Sequence, residues 1–516
     1  MDNIVIIDCG SQFTQLIARR VREMKIHSVI LPWDVTAERV LENAPSGIIV
    51  SGGPDSVNDE GAIAVHEKIL NLDVPLLGIC YGMQLLAKFL GGEVRSGEKS
   101  EYGTTPVELE EQADARLFRG LPGAFEVLMS HGDRVERLPP RFFATAHTRH
   151  GVVAAMESED GRRFGLQFHP EVEHTQHGAR ILRHFLFDVC GCRGDWDLGD
   201  WVERSVEEIR GRVGAECVVC GLSGGVDSTV AAALVHRAIG KRLECIFVDH
   251  GLMRRDEGRE VLASYEGLGL SVRCADASEL FLSRLAGVTD PDEKRKIIGE
   301  LFINVFEEES AKLGAARNSP IAWLLQGTIY PDVIESGGRK KGSAVIKLHH
   351  NVGGLPERMN LKLLEPLRDL FKDEVREIGR LLEVPDAIVD RHPFPGPGLA
   401  VRCLGAVSKE RLDTLRGAEA IFKEELVRAG LYGKIWQSFC VLLPVRTVGV
   451  MGDGRTYSEV LALRAVNSSD AMTADWTRLP MDLLDTVSKR ICNEVRGVNR
   501  VVLDITSKPP ATIEWE

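Results

Sequence analysis

The chain has 516 residues, 44% of them hydrophobic, eleven cysteines and a formal charge of −13. That length suits roughly three to four domains, and the composition is that of a packed globular protein rather than a disordered or fibrous one. The negative balance argues against a constitutive nucleic-acid surface, no run approaches the roughly 20 apolar residues that cross a bilayer, and Asp2 leads straight into a strand-like run with no secretory leader pattern.

The cysteines are scattered, and Cys217, Cys220 and Cys245 sit inside apolar runs, so reduced, structural thiols in a cytoplasmic protein are expected. In chain order, β-branched runs at Ile4–Asp8, Gly47–Ser51 and Leu76–Cys80 alternate with helical patterns such as Gln12–Glu23, which predicts a parallel α/β sheet. The region Phe143–Glu171 reads as antiparallel, with short strands ending in Phe164–His169. The stretch Gly191–Asp197 has no periodicity and reads as a linker. A second α/β set follows at Cys217–Leu222, Leu243–Asp249, Ser271–Ala275 and Ile321–Gln326. The segment His392-Pro393-Phe394-Pro395-Gly396-Pro397-Gly398 is neither helix nor central strand, because proline removes donors and fixes φ. The remainder mixes helices and strands. These breaks predict three domains, at 1–192, 193–391 and 392–516.

The first chemical signal is Gly78-Ile79-Cys80-Tyr81-Gly82, which runs from a strand directly into a helix expected at Gln84–Phe89. Glycines flank the cysteine as they flank nucleophiles on strand–turn–helix elbows. A helix amino terminus near the sulfur favours the attacking thiolate. Its base and orienting group are expected in Gln167-Phe168-His169-Pro170-Glu171, where residues two apart in an extended chain face the same side. Ser51-Gly52-Gly53-Pro54 can present the Gly53 N–H beside that of Tyr81 as oxyanion donors. The spacing of His169, Glu171, Glu173, His174 and His177 fits no standard zinc pattern. Together with Ser130-His131-Gly132-Asp133, read as a substrate-side loop, these motifs resemble the class I glutamine amidotransferases. The resemblance implies a triad of Cys80, His169 and Glu171 that releases ammonia from glutamine.

The second signal is the strand Cys217–Leu222 followed by Ser223-Gly224-Gly225-Val226-Asp227-Ser228-Thr229 and the helix Val230–Ala238. Small residues between strand and helix let backbone N–H groups close around a phosphate. No Gly-Lys-Ser/Thr ends the loop, so it is not the common P-loop. It resembles the pyrophosphate loop of the ATP-pyrophosphatases, which implies a Rossmann-like domain and cleavage of ATP to AMP and pyrophosphate. The end of Leu243–Asp249 is expected to shape the nucleotide crevice. Asp227 is a candidate magnesium ligand as well as an ordinary helix-start carboxylate.

The loop alone fits synthetases of NAD, asparagine or argininosuccinate and tRNA-thiolating enzymes. Further segments are similar to the glutamine-hydrolysing GMP synthetases: Glu293–Gly299, Gln326–Asp332, Ile346–Asn351, Arg391–Gly398, Val450–Tyr457 and Thr506–Glu516. That resemblance spans nearly the whole chain and implies amination of xanthosine monophosphate (XMP) with glutamine, ATP and magnesium. It implies a lid lysine at Lys347, XMP contacts at Arg254, Gln437, Lys508, Thr512, Ile513 and Glu514, and a carboxyl-terminal α+β dimerisation domain, hence a homodimer. Leu348 and Met451 depart from the family's usual small hydroxyl and glutamine, and Cys9 from its usual aromatic. A retired sensor of nucleotides or glutamine would have less reason to keep Cys80, His169, Glu171 and Ser223–Ser228 intact.

Overall fold

The structure, a computed structural model, describes residues 2–110, 115–316, 321–337, 361–451, 454–468 and 473–516, with the side chains of 97–100, 334–337 and 451 left aside. The chain divides into two compact units, Met1–Asp197 and Leu198–Glu516.

The first unit is built on a nine-stranded sheet in the order β2-β1-β3-β4-β9-β8-β7-β5-β6. Strands β1 (Asn3–Asp8), β2 (His27–Pro32), β3 (Gly47–Val50), β4 (Leu76–Ile79) and β9 (Arg163–Leu166) run parallel. Ile4 to Ile7, Ile48 to Val50 and Leu76 to Leu77 are fully buried, the mark of strands covered on both faces. Each such side chain contributes about 1.5–3 kcal/mol of burial. Beyond β9, strands β8 (Val153–Ser158), β7 (Phe142–Thr148), β5 (Glu93–Leu109) and β6 (Ala124–Arg137) continue antiparallel. The antiparallel expectation for Phe143–Glu171 therefore holds for β7, β8 and their junction with β9. Strand β2 escaped the sequence reading because it is an edge strand that begins with His27-Ser28 and ends in Pro32.

The second unit carries a five-stranded parallel sheet, β12-β11-β10-β13-β14. Its strands are β10 (Cys217–Leu222), β11 (Leu243–Asp249), β12 (Val272–Asp276), β13 (Ile321–Leu325) and β14 (Lys362–Leu364). Strand order reverses at β10, which has β11 on one side and β13 on the other, the arrangement that opens a crevice at the carboxyl ends. A second sheet follows, with β15 (Gln437–Met451) antiparallel to β16 (Gly454–Asn467), and β17 (Asp475–Trp476) and β18 (Val498–Asp504) both on β16. One apolar core joins Val219 and Ile246 of the parallel sheet to Leu412 and Leu415 of the helix Lys409–Arg428 and to Leu461 and Val487 beyond it. Packing is thus continuous across residue 392. Among the described residues, no helix is long and apolar enough to cross a membrane.

Candidate active sites

Cys80 occupies the corner between β4 and the helix Tyr81–Phe89, with φ 50° and ψ −106°. That region is unfavourable for any side chain with a Cβ, and such strain persists where the surroundings over-determine it. Here they do. A methyl group at Gly82 would lie 2.3 Å from the Val50 carbonyl oxygen, and one at Gly78 would lie 2.5 Å from the Gly82 backbone. Both glycines are needed for backbone-on-backbone contact, which forces the turn. The helix starts at Tyr81, three residues earlier than its sequence suggests, so Cys80 is its amino-terminal cap.

His169 follows β9, and its Nδ1 lies 2.7 Å from Glu171 Oε1, with both side chains buried. Burial works against a charged imidazole, yet Glu171 and the Cys80 side chain outweigh it and raise His169 to about 10. The ring meets Phe13 edge-on at 5.0 Å between centroids. Space for it depends on Gly52, where a methyl would come within 3.2 Å of His169 Cε1. Glu171 Oε2 has no hydrogen-bond partner among the described residues, leaving its other oxygen as the orienting one.

Gly53 lies against the residue after the cysteine: a methyl there would be 3.1 Å from the Tyr81 ring and 2.8 Å from the Cys9 carbonyl. The Tyr81 N–H belongs to the first helical turn, whose donors have no intrahelical acceptor. Ser130-His131-Gly132-Asp133 lies within β6 rather than in a loop, opposite a register shift in β5 between Ser96 and Glu101. Such irregularities re-aim side chains. Cys80 Sγ is 3.6 Å from the Ser130 carbonyl, and Gln167 Nε2 is 3.8 Å from the sulfur. Gln84 Nε2 donates to Gln167 Oε1 at 3.2 Å and to the Asp133 carbonyl at 2.9 Å. Nothing local in the sequence marks this buried amide string beside the sulfur, although Gln167 stands in the motif of His169 and Gln84 opens the expected helix.

In the second unit the loop Ser223–Gly225 joins β10 to the helix Val226–Ile239. Gly224 has φ +77°, which favours glycine. Ser223 Oγ and Ser228 Oγ are 3.2 Å apart and exposed or half-buried at the helix mouth. Val226 is buried, so it offers the site its backbone alone. Thr229, fully buried, donates to the Gly225 carbonyl at 2.8 Å and meets the Tyr265 hydroxyl at 3.2 Å, which pins the loop from behind. Gly327, after β13, presses on the same turn: a methyl there would be 2.8 Å from Ser228 N. The Asp227 carboxylate receives Lys372 Nζ at 2.6 and 2.7 Å. Lys372 was not foreseen, being 145 residues away in sequence. Lys347 and Leu348 lie outside the described residues.

Of the residues expected at the XMP end, Arg254, Gln437 and Glu514 are brought together. Arg254 Nε donates to Glu419 Oε1 at 2.9 Å, and Gln437 Nε2 donates to Glu514 Oε1 at 2.8 Å. Arg402, fully buried, links the two carboxylates. Ile513 packs its side chain with Phe439 and Val441, while its carbonyl and that of Thr512 accept bonds from buried Arg464 at 3.2 and 2.9 Å. Lys508 pairs its backbone with Ala474 at 2.7 and 3.0 Å, and the tail follows β18 as an ordered segment.

Family models match three stretches of the chain. That of the class-I glutamine amidotransferases matches residues 5–189, that of NAD synthase residues 197–291, and that of the GMP synthase C terminal domain residues 424–515. A protein of Chlorobium limicola named GMP synthase (glutamine-hydrolyzing) is 56% identical over 522 residues, covering 100% of both chains. One of the same name from Aquifex aeolicus is 55% identical with 99% of each chain covered, and one from Nitratidesulfovibrio vulgaris is 56% identical, again with 99% of each.

Proposed function

Since the chain belongs to the family of glutamine-hydrolysing GMP synthases, we propose that it converts XMP, ATP and glutamine into GMP, AMP, pyrophosphate and glutamate at two centres. The observation that carries this is the presence, in one chain, of a strained Cys80 beside a buried His169–Glu171 pair and a lysine-free phosphate loop after β10.

At the first centre Cys80 sulfur attacks the glutamine side-chain carbonyl. The N–H groups of Gly53 and Tyr81 receive the oxyanion, and His169 hands a proton to the departing ammonia. Glu171 keeps the imidazole oriented and charged, in the manner of triads generally. Water then cleaves the thioester to glutamate. At the second centre the XMP 2-oxygen attacks the α-phosphorus of ATP and pyrophosphate leaves. Ammonia adds at C2, and AMP departs with the former ring oxygen. A ring carbonyl oxygen is a poor leaving group until it carries this phosphoryl ester. Ser223, Gly224, Gly225, Val226, Asp227, Ser228 and Thr229 form the ATP loop and its support, with Lys347 as lid cation. Arg254, Gln437, Lys508, Thr512, Ile513 and Glu514 form the XMP end.

Magnesium fits this centre only as an ion carried largely by the triphosphate, because Asp227 is the single carboxylate on the loop and Lys372 already holds it. Magnesium commonly binds through one or two carboxylates plus substrate phosphates; when bound it offsets phosphate charge. We place the protein in the cytoplasm, in keeping with its free cysteines. A homodimer is supported by the exposed apolar residues Val448, Val450 and Tyr457 on one face of the β15–β16 hairpin; sedimentation at a monomer mass would remove that part.

The test follows the ring oxygen. XMP labelled with ¹⁸O at position 2 should yield AMP carrying the label. Label released into water instead would contradict adenylylation.

A further inference from the structure

The residues assigned above to ATP and to XMP are joined by one line of alternating charges. At one end, the Gly224 carbonyl of the phosphate loop accepts a bond from Arg391 Nη1 at 2.8 Å. The other arm of Arg391 pairs with Glu257, whose side chain is 3% exposed. Glu257 Oε2 accepts the Arg254 backbone N–H at 2.7 Å, and Arg254 Nε reaches Glu419 Oε1 at 2.9 Å. The same Glu419 oxygen accepts Arg402 Nη1 at 3.1 Å, and Arg402 holds Glu514 with two nitrogens at 2.8 and 3.1 Å. Gln437 completes the line on Glu514.

Two features make Arg391 the hinge of this line. Its guanidinium spans a carbonyl and a carboxylate at once, which a lysine point charge does not reproduce. The loop also lies directly on it, since a methyl at Gly224 would come within 3.3 Å of Arg391 Nη1. Glu257, Arg402 and Glu419 are buried and Arg391, Arg254 and Glu514 half-buried, and charges of alternating sign so placed depend on one another, because displacing one leaves its neighbours uncompensated.

We infer that Arg391 is a positioning residue that couples the two nucleotide sites: a purine monophosphate held at Arg254 and Glu514 fixes Glu257, Arg391 and thereby the Gly224 turn, so that it tightens ATP binding. By linkage, ATP tightens monophosphate binding by the same factor. This rests on the assignment of substrates proposed above.

The test is equilibrium binding to the full chain of an ATP analogue with a methylene bridge between the α and β phosphates, with and without saturating XMP. Wild type, Arg391→Lys and Glu257→Gln are compared, with thermal unfolding recorded for each. In wild type XMP should tighten the analogue at least about fivefold. In both variants the factor should fall to within about twofold of unity, while each ligand alone still binds. A merely structural role would weaken both ligands and leave the factor intact, which overturns the inference. So would a wild-type factor of one, loss of either ligand's own binding in Arg391→Lys, or unfolding of both variants. If wild type binds neither ligand, the substrate assignment itself fails.

Discussion

His169 and Glu171 are two residues apart, yet their buried side chains meet at 2.7 Å, and against the burial that disfavours a charged ring this carboxylate, with the Cys80 side chain, raises the imidazole. Its folded value of about 10 stands above the ordinary 6.5. The pair therefore stabilises the fold fully below pH 6.5, and that contribution is lost as pH climbs toward 10. Glu171→Gln removes the carboxylate that raises the imidazole most and leaves the Cys80 side chain alone against burial, so the imidazole falls. We expect the alkaline limb of glutamine hydrolysis to move down from about 10, and the rate to fall about 10²–10⁴-fold. An unchanged pH profile would contradict the role given to Glu171.

Gly82 tests the elbow. The clash of an added methyl with the Val50 carbonyl is with rigid backbone, so Gly82→Ala should cost upwards of ~3 kcal/mol and abolish glutamine hydrolysis. Gly123→Ala is the comparison, since an added methyl there meets nothing within 4 Å; it should cost under ~1 kcal/mol. Urea unfolding of both variants checks this.

Lys372 and a magnesium ion compete for Asp227 in the proposed site. Asp227→Asn should raise the half-saturating free magnesium for pyrophosphate release by about tenfold, equivalent to ~1.4 kcal/mol. Lys372→Gln should lower it severalfold. A magnesium titration at fixed ATP distinguishes this from a helix-start carboxylate with no ligand role, for which neither value moves.

Two histidines, the half-buried His250 and the buried His392, predict acid lability. His250 Nδ1 accepts the Leu252 N–H at 3.0 Å, and His392 Nδ1 accepts the Ser438 N–H at 3.3 Å. Both rings are therefore neutral. Burial first, with Arg416 near His250 and Arg254 near His392, pushes each down to about 4. The unfolded chain takes up these protons near 6.5, so stability should fall as pH drops from 6.5 toward 4. Denaturation midpoints should shift over that window, and His392→Gln should flatten the slope.

The sequence made legible whatever depends on neighbours along the chain. The run Cys217–Leu222 followed by small residues announces a strand and a phosphate loop, and the glycines around Cys80 announce a turn. The structure supplies the physical reason for those glycines, since Gly82 makes room for the Val50 carbonyl. Strands β5 and β6 were not legible, since β5 is polar over much of its length and the buried face of β6 includes His131 and Asp133, which interrupt its apolar alternation. Arg391, Lys372 and Arg402 were invisible as site residues. Their partners lie 167, 145 and 112 residues away, and nothing local marks a long-range ion pair. Arg391 did stand in a quoted motif, but only the fold gives it Gly224.

The division of labour between two centres is tested most directly by product analysis on wild type and Cys80→Ala, supplied with XMP, ATP, magnesium and either glutamine or ammonium. The account predicts GMP, AMP and pyrophosphate from wild type with both nitrogen sources, and from the variant with ammonium alone. GMP formation by Cys80→Ala from glutamine, or no GMP from wild type with either source, would contradict it.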